Sequence, residues 1–172
     1  GYFADDTLHG IYMEWYPNGN KKEEGAFVKG KKSGLWKQWD VKGKLSQEYE
    51  YKNGRQYYVN LWSEDGKQIV KNGYGKVILA FDDGSKWCEG IYRGGVKDSV
   101  WTFWTPEGIL EAKEEFRDGM KNGKATHWHS DGKVSFEGQY TNDRKSGTWT
   151  WYKPDGELEM RGEFKNDLRN GH

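Results

Sequence analysis

The chain repeats itself every 24 residues, and that period constrains its fold more than any other feature. Six blocks, 10–33, 34–57, 75–98, 99–122, 123–146 and 147–170, align without a gap. With the first residue of each block as position zero, position nine is Gly19, Gly43, Gly84, Gly108, Gly132 and Gly156. Position seventeen is Phe27, Tyr51, Tyr92, Phe116, Tyr140 and Phe164. Position five is Trp15, Trp39, Ala80, Trp104, Trp128 and Tyr152. Residues 1–9 fit the end of a further block, with Gly1 at position fifteen and Phe3 at seventeen. Residues 58–74 form a shortened, irregular block that keeps Trp62 and Gly66. The whole, 1–172, reads as one repeat domain, because a unit this small buries its apolar face only by stacking on its neighbours.

Each block predicts a β-hairpin. The tetrads "YPNG", "FDDG", "TPEG", "HSDG" and "KPDG" are turns: Pro presets φ, Asn or Asp bonds nearby backbone, and Gly takes the left-handed position. The strand after the turn alternates with period two. Leu158, Met160, Gly162 and Phe164 are expected on one face, with Glu159, Arg161, Glu163 and Lys165 on the other. The expected fold is all-β: an elongated, single-layer antiparallel sheet of tandem hairpins, with about fourteen strands.

Composition then says what fills the core. Charged residues make up 31% and hydrophobic residues 34%, a balance that leads to disorder unless rings supply the buried area; here aromatics reach 16%. A ring covers far more surface than an aliphatic side chain, and a ring from a neighbouring strand can lie over a strand glycine, here the glycines of position fifteen. The 27 basic and 27 acidic residues cancel, which argues against nucleic acid and anionic lipid as general partners. No stretch is apolar enough for membrane insertion as a helix. The single cysteine, Cys88, excludes an internal disulfide.

The signature G-x-W-x-x-W-x-x-x-G…E-G-x-[YF]-x-x-G, seen in "GLWKQWDVKGKLSQEYEYKNG" and "GTWTWYKPDGELEMRGEF", resembles the MORN repeat in its bacterial variant. The resemblance spans nearly the whole chain. It implies a strip of hairpins that works as a scaffold or partner-binding module, without catalytic residues and without a cofactor. Bacterial relatives of this kind include antitoxins paired with secreted toxins and exported proteins, which implies an exported (periplasmic or cell-surface) address ahead of a cytoplasmic one.

Individual residues add little chemistry. His127 and His129 are two apart, too few ligands for a zinc site without help from elsewhere. The glutamates of position fourteen, Glu24, Glu48, Glu89 and Glu137, recur in similar surroundings and are expected to pair with lysines of the charged face rather than to catalyse. Cys88 has no activating neighbour in its hairpin and reads as a buried thiol.

The break in the array is different. After the shortened block comes "VILAF", apolar on both faces, and then Trp87 and Ile91 at positions twelve and sixteen, which are mostly polar elsewhere. Trp62, Val77, Leu79, Phe81, Trp87 and Ile91 are therefore the candidate partner-binding residues. A protein partner is expected; a glycan held by exposed rings is the alternative. End-to-end self-association through uncapped edge strands is a further expectation.

Overall fold

The computed structural model describes residues 2–4 and 7–170, with the side chains of 7–169. Gly1, read as position fifteen of the partial block, lies outside the described residues. The described chain is strand and turn throughout. The strands are β1 (Tyr2–Ala4), β2 (Thr7–Trp15), β3 (Lys21–Val28), β4 (Lys31–Trp39), β5 (Leu45–Lys52), β6 (Arg55–Trp62), β7 (Gln68–Val70) and β8 (Gly75–Ala80). They continue with β9 (Lys86–Arg93), β10 (Val96–Trp104), β11 (Leu110–Arg117), β12 (Met120–Trp128), β13 (Val134–Thr141), β14 (Arg144–Tyr152), β15 (Leu158–Lys165) and β16 (Leu168–Asn170).

Every described pairing is antiparallel and between strands consecutive in sequence. The strands form two sheets, β1 to β7 and β8 to β16, where one continuous sheet was expected. The change of sheet falls at the shortened block. Its second arm is only the three residues of β7, and beyond it a single bridge joins Lys71 and Tyr74. The chain correspondingly divides into two compact units: residues 1–75 with the hairpin tip 92–96, and residues 76–91 with 97–172. Within the first unit Gly95 accepts from the Tyr58 amide at 2.8 Å and donates to the Gly73 carbonyl at 3.0 Å, while the Tyr58 and Tyr92 rings lie 5.0 Å apart.

Two kinds of turn alternate along the chain. At the anticipated tetrads the glycine amide bonds back three residues, as from Gly156 to Lys153 at 2.8 Å, and the glycine has positive φ. This is the turn-plus-bulge loop of a longer hairpin connection. At positions nineteen and twenty of the full blocks the chain turns in two residues that both have positive φ, as at Asn53-Gly54, Asp118-Gly119 and Asn142-Asp143, and Asn72-Gly73 does the same in the shortened block. These are type I′ turns, whose twist matches that of the flanking strands, and Asn, Asp and Gly tolerate them best.

The tetrad bulge also corrects the simple alternation expected for the following strand. In five hairpins the pairing skips position twelve: Trp151 faces Met160, Tyr152 faces Leu158, and Glu159 is left over. Leu158 therefore falls in the opposite phase from Met160, and strict period two begins only at position thirteen.

Each unit has a core built on the same kind of seam. At Gly25, Gly90 and Gly138, all position fifteen, an added Cβ would collide with the rings of Trp36, Trp101 and Trp149, which stand at position two of the next block. These three tryptophans are completely or almost completely buried. The position-seventeen ring closes over the same indole, with Phe27 5.1 Å from Trp36 and Tyr140 5.0 Å from Trp149, both edge-on. A buried tryptophan of this kind contributes about 3–5 kcal/mol relative to alanine.

Candidate partner-binding surface

The residues at the break separate onto different surfaces. Val77 takes the position-two slot that holds tryptophan in other blocks and is completely buried. Leu79 and Phe81 are half-buried. The large apolar residue that this strand presents to solvent, between the exposed Lys76 and Ala80, is Ile78, 58% exposed. On β9 Cys88, Gly90 and Tyr92 are buried, while Ile91 is 37% exposed. On β10 Trp101 is buried and Val100, its neighbour in sequence, is 48% exposed. Ile78, Ile91 and Val100 thus come from three adjacent strands and lie on the face opposite the buried seam. Trp87 stands at position twelve of its block; it is 43% exposed, and its ring centroid lies 6.3 Å from that of Phe81. Trp62 belongs to the first unit, where it is half-buried opposite Gln68.

The exposed face of the second unit continues from Val100 into a groove of about 390 Å³. It is lined by Val100, Lys113, Lys124, Trp128, Val134 and Glu137, among others. Val100 is directly paired with Glu115, and Trp128 with Val134. The lining is mixed: Val100, Trp128 and Val134 supply apolar surface beside Lys113, Glu114, Glu115, Lys124 and Glu137, a combination suited to protein contact.

A second exposed apolar stripe lies on the first unit. Ile11, Met13 and Trp15 alternate along β2 and are all exposed. The positions that reveal it are one and three, which are Ile and Met in this block but Lys, Thr, Leu, Ile or Val in the others.

The polar candidates have settled partners. Each position-fourteen glutamate pairs with a lysine: Glu24 with Lys21 at 2.5 Å, Glu48 with Lys37 at 3.3 Å, Glu89 with Lys86 at 2.8 Å and Glu137 with Lys124 at 3.0 Å. Two of these pairs run along one strand and two across strands. As surface pairs each contributes about 0–1 kcal/mol. His127 Nε2 lies 3.0 Å from Glu114, and the ring stacks on Phe136 at 4.2 Å. His129 Nε2 lies instead 2.9 Å from the Tyr152 carbonyl oxygen. Among the described residues no three His, Cys, Asp or Glu side chains gather to hold a metal. Cys88 is buried, and burial pushes its thiol pKa up against the opposing charge of Lys97.

A basic series escaped sequence reasoning. Position twenty-two is Lys32, Lys97, Lys121, Lys145 and Arg169, with Gln56 in the second block. Its ammonium groups lie over the seam: Lys32 3.9 Å from the Trp36 ring, Lys97 4.4 Å from Trp101 and Lys145 4.6 Å from Trp149. The repeat register alone would have revealed it. Burial lowers the pKa of Lys97, partly offset by Glu114, and the ring faces supply the rest of its cation stabilisation.

Buried carboxylates accompany two of these lysines. Glu114 stands at position fifteen, which is glycine in four of the six blocks and Tyr49 in the second, and the following position two is Ala125 in place of tryptophan. Its Oε1 accepts from Lys121 at 2.6 Å. Burial pushes the Glu114 pKa up, but the bonds from His127 and Lys121 outweigh it and hold it below the ordinary carboxylate value. In the first unit Glu23 accepts from Lys32 at 2.7 Å, Gln38 at 2.6 Å and the Tyr49 hydroxyl.

Tandem antiparallel hairpins joined by ring-over-glycine seams define a repeat scaffold, whose chemistry lies in what its faces bind. The family model described as a MORN repeat variant matches residues 8–29, 32–53, 121–142 and 145–166, just over half of the chain. The chain belongs to this MORN repeat family. Repeats of the family are commonly binding or scaffold modules and are generally non-catalytic. A search of curated proteins gave no match. The matched segments leave out 54–120, which contains the shortened block, Ile78, Trp87, Ile91 and Glu114.

Proposed function

We propose that this protein is a non-catalytic interaction module that binds another protein through the exposed apolar face at the start of its second unit. The observation that carries this reading is the cluster of Ile78, Ile91 and Val100 on three adjacent strands, leading into the groove beside Trp128 and Val134. Isolated exposed aliphatic residues are ordinary, but a contiguous group rimmed by charge marks a contact surface. Trp87 adds an exposed ring near one end of the same segment and is the natural aromatic anchor. An immunity-type or scaffold role fits such a module, since both require a preformed surface rather than chemistry.

The test is affinity capture with the intact chain and two variants, Ile91→Asp and Ile78→Asp. A protein retained by the wild type and lost from both variants, with their circular dichroism unchanged, supports the reading. Equal capture by all three overturns it.

A further inference from the structure

The first unit contains a polar cleft of about 560 Å³, lined by Glu14, Tyr16, Lys22, Glu23, Ser46 and Gln47 among others. It differs from the mixed groove described above: hydrogen-bonding groups dominate its wall. Its central group is the Glu23 carboxylate, only 8% exposed. Three donors, Lys32, Gln38 and Tyr49, all converge on Oε1. Gln38 is itself held by Gln47. The second oxygen, Oε2, accepts nothing from the described residues and remains open to the cleft. A fixed, ionised acceptor is thus aimed at a space large enough for a ligand, and its orientation is set by donors behind it.

The neighbouring groups restrict what that ligand is. Lys22, paired with Glu14 at 2.8 Å, places an ammonium donor in the same cleft. The Ser46 hydroxyl adds a further polar group. The wall carries both signs, Glu14, Glu23 and Asp40 beside Lys22 and Lys32, so neither a cation nor an anion meets a surface of one sign. A neutral ligand with several hydroxyl groups can donate to Glu23 and accept from Lys22 at once. The half-buried Tyr16 ring offers an apolar wall for its C–H face. The rings of Trp36, Trp101 and Trp149 cannot play that part, because they are sealed in the seam.

We infer that this cleft binds a neutral saccharide unit, with Glu23 Oε2 as the orienting acceptor and Lys22 as the opposing donor. The site lies within the first unit and is independent of the protein-contact face proposed for the second.

Titration of the isotopically labelled intact chain with neutral hexose, pentose and N-acetylhexosamine disaccharides tests it, with glucuronate and ethanolamine as charged probes. The expected result is saturable shifts of the Tyr16, Ser46 and Gln47 amide resonances with at least one neutral disaccharide. Glu23→Gln should lower that affinity by about tenfold or more. Because Glu23 also supports Tyr49, Lys22→Met serves as a second variant outside the buried network and should weaken binding while leaving the spectrum of the free protein intact. If no neutral disaccharide binds, if only ethanolamine or glucuronate binds, or if Lys22→Met binds as tightly as the wild type, the inference is wrong.

Discussion

Trp149 lies across Gly138 so closely that the glycine has no room for even a methyl group. The same relation joins Trp36 to Gly25 and Trp101 to Gly90, so one steric rule connects consecutive hairpins in both units. Gly138→Ala is therefore expected to destabilise the protein by about 1–3 kcal/mol through overpacking, and Trp149→Ala by about 3–5 kcal/mol through loss of the ring. Urea denaturation of the two variants checks both. A Gly138→Ala protein as stable as the wild type would show that the seam is loose.

One exception to the rule provides its own test. Glu114 and Ala125 exchange the sizes of the two partners: a larger residue at the glycine site and a small one at the tryptophan site. Ala125→Trp alone should destabilise the second unit, because the new ring meets Glu114. Adding Glu114→Gly should recover most of the loss, giving a coupling of at least about 1 kcal/mol in a double-mutant cycle. Additive effects would contradict the size exchange.

Acid stability should depend on the two buried carboxylates. The pKa values of Glu23 and Glu114 are both depressed in the folded protein, burial opposing and hydrogen bonds prevailing. The stability they provide is present above the unfolded carboxylate pKa of about 4.3 and is lost as pH falls through the lower folded values. Denaturation midpoints measured from neutral pH down to about pH 3 should fall steeply for the wild type and less steeply for Glu114→Gln. Parallel curves would show that Glu114 does not titrate with unfolding.

Ser99 sits with φ of 61° at position zero, where Gly10, Gly34, Gly123 and Gly147 also have positive φ. An L-residue is strained there and glycine is not, so Ser99→Gly should raise stability by up to about 1 kcal/mol, after allowing for glycine's greater freedom when unfolded. A thermal melt decides the sign.

The period, the hairpins and the use of rings as core were legible because each recurs at a fixed spacing. The loss of glycine at Glu114, compensated at Ala125, was legible in principle by comparing the same two positions across blocks. The phase of Leu158 was not, since a bulge at position twelve interrupts alternation and leaves no mark in composition. Val77 was read with its strand as a patch residue because "VILAF" is apolar on both faces; only the pairing distinguishes the buried Val77 from the exposed Ile78. The division into two sheets follows from the brevity of β7, which periodicity alone does not measure.

The most direct measurement of the proposed division of labour compares stability and binding in the same two variants. Ile91→Asp changes the exposed face and Gly138→Ala changes the buried seam. With a partner captured by the wild type, each variant is titrated against it and unfolded in urea. The expected result is that Ile91→Asp loses at least about 1–2 kcal/mol of binding at an unchanged denaturation midpoint, while Gly138→Ala lowers the midpoint and, where still folded, binds as the wild type does. An Ile91→Asp protein that binds normally, or that unfolds as readily as Gly138→Ala, would contradict the assignment of this face to partner recognition.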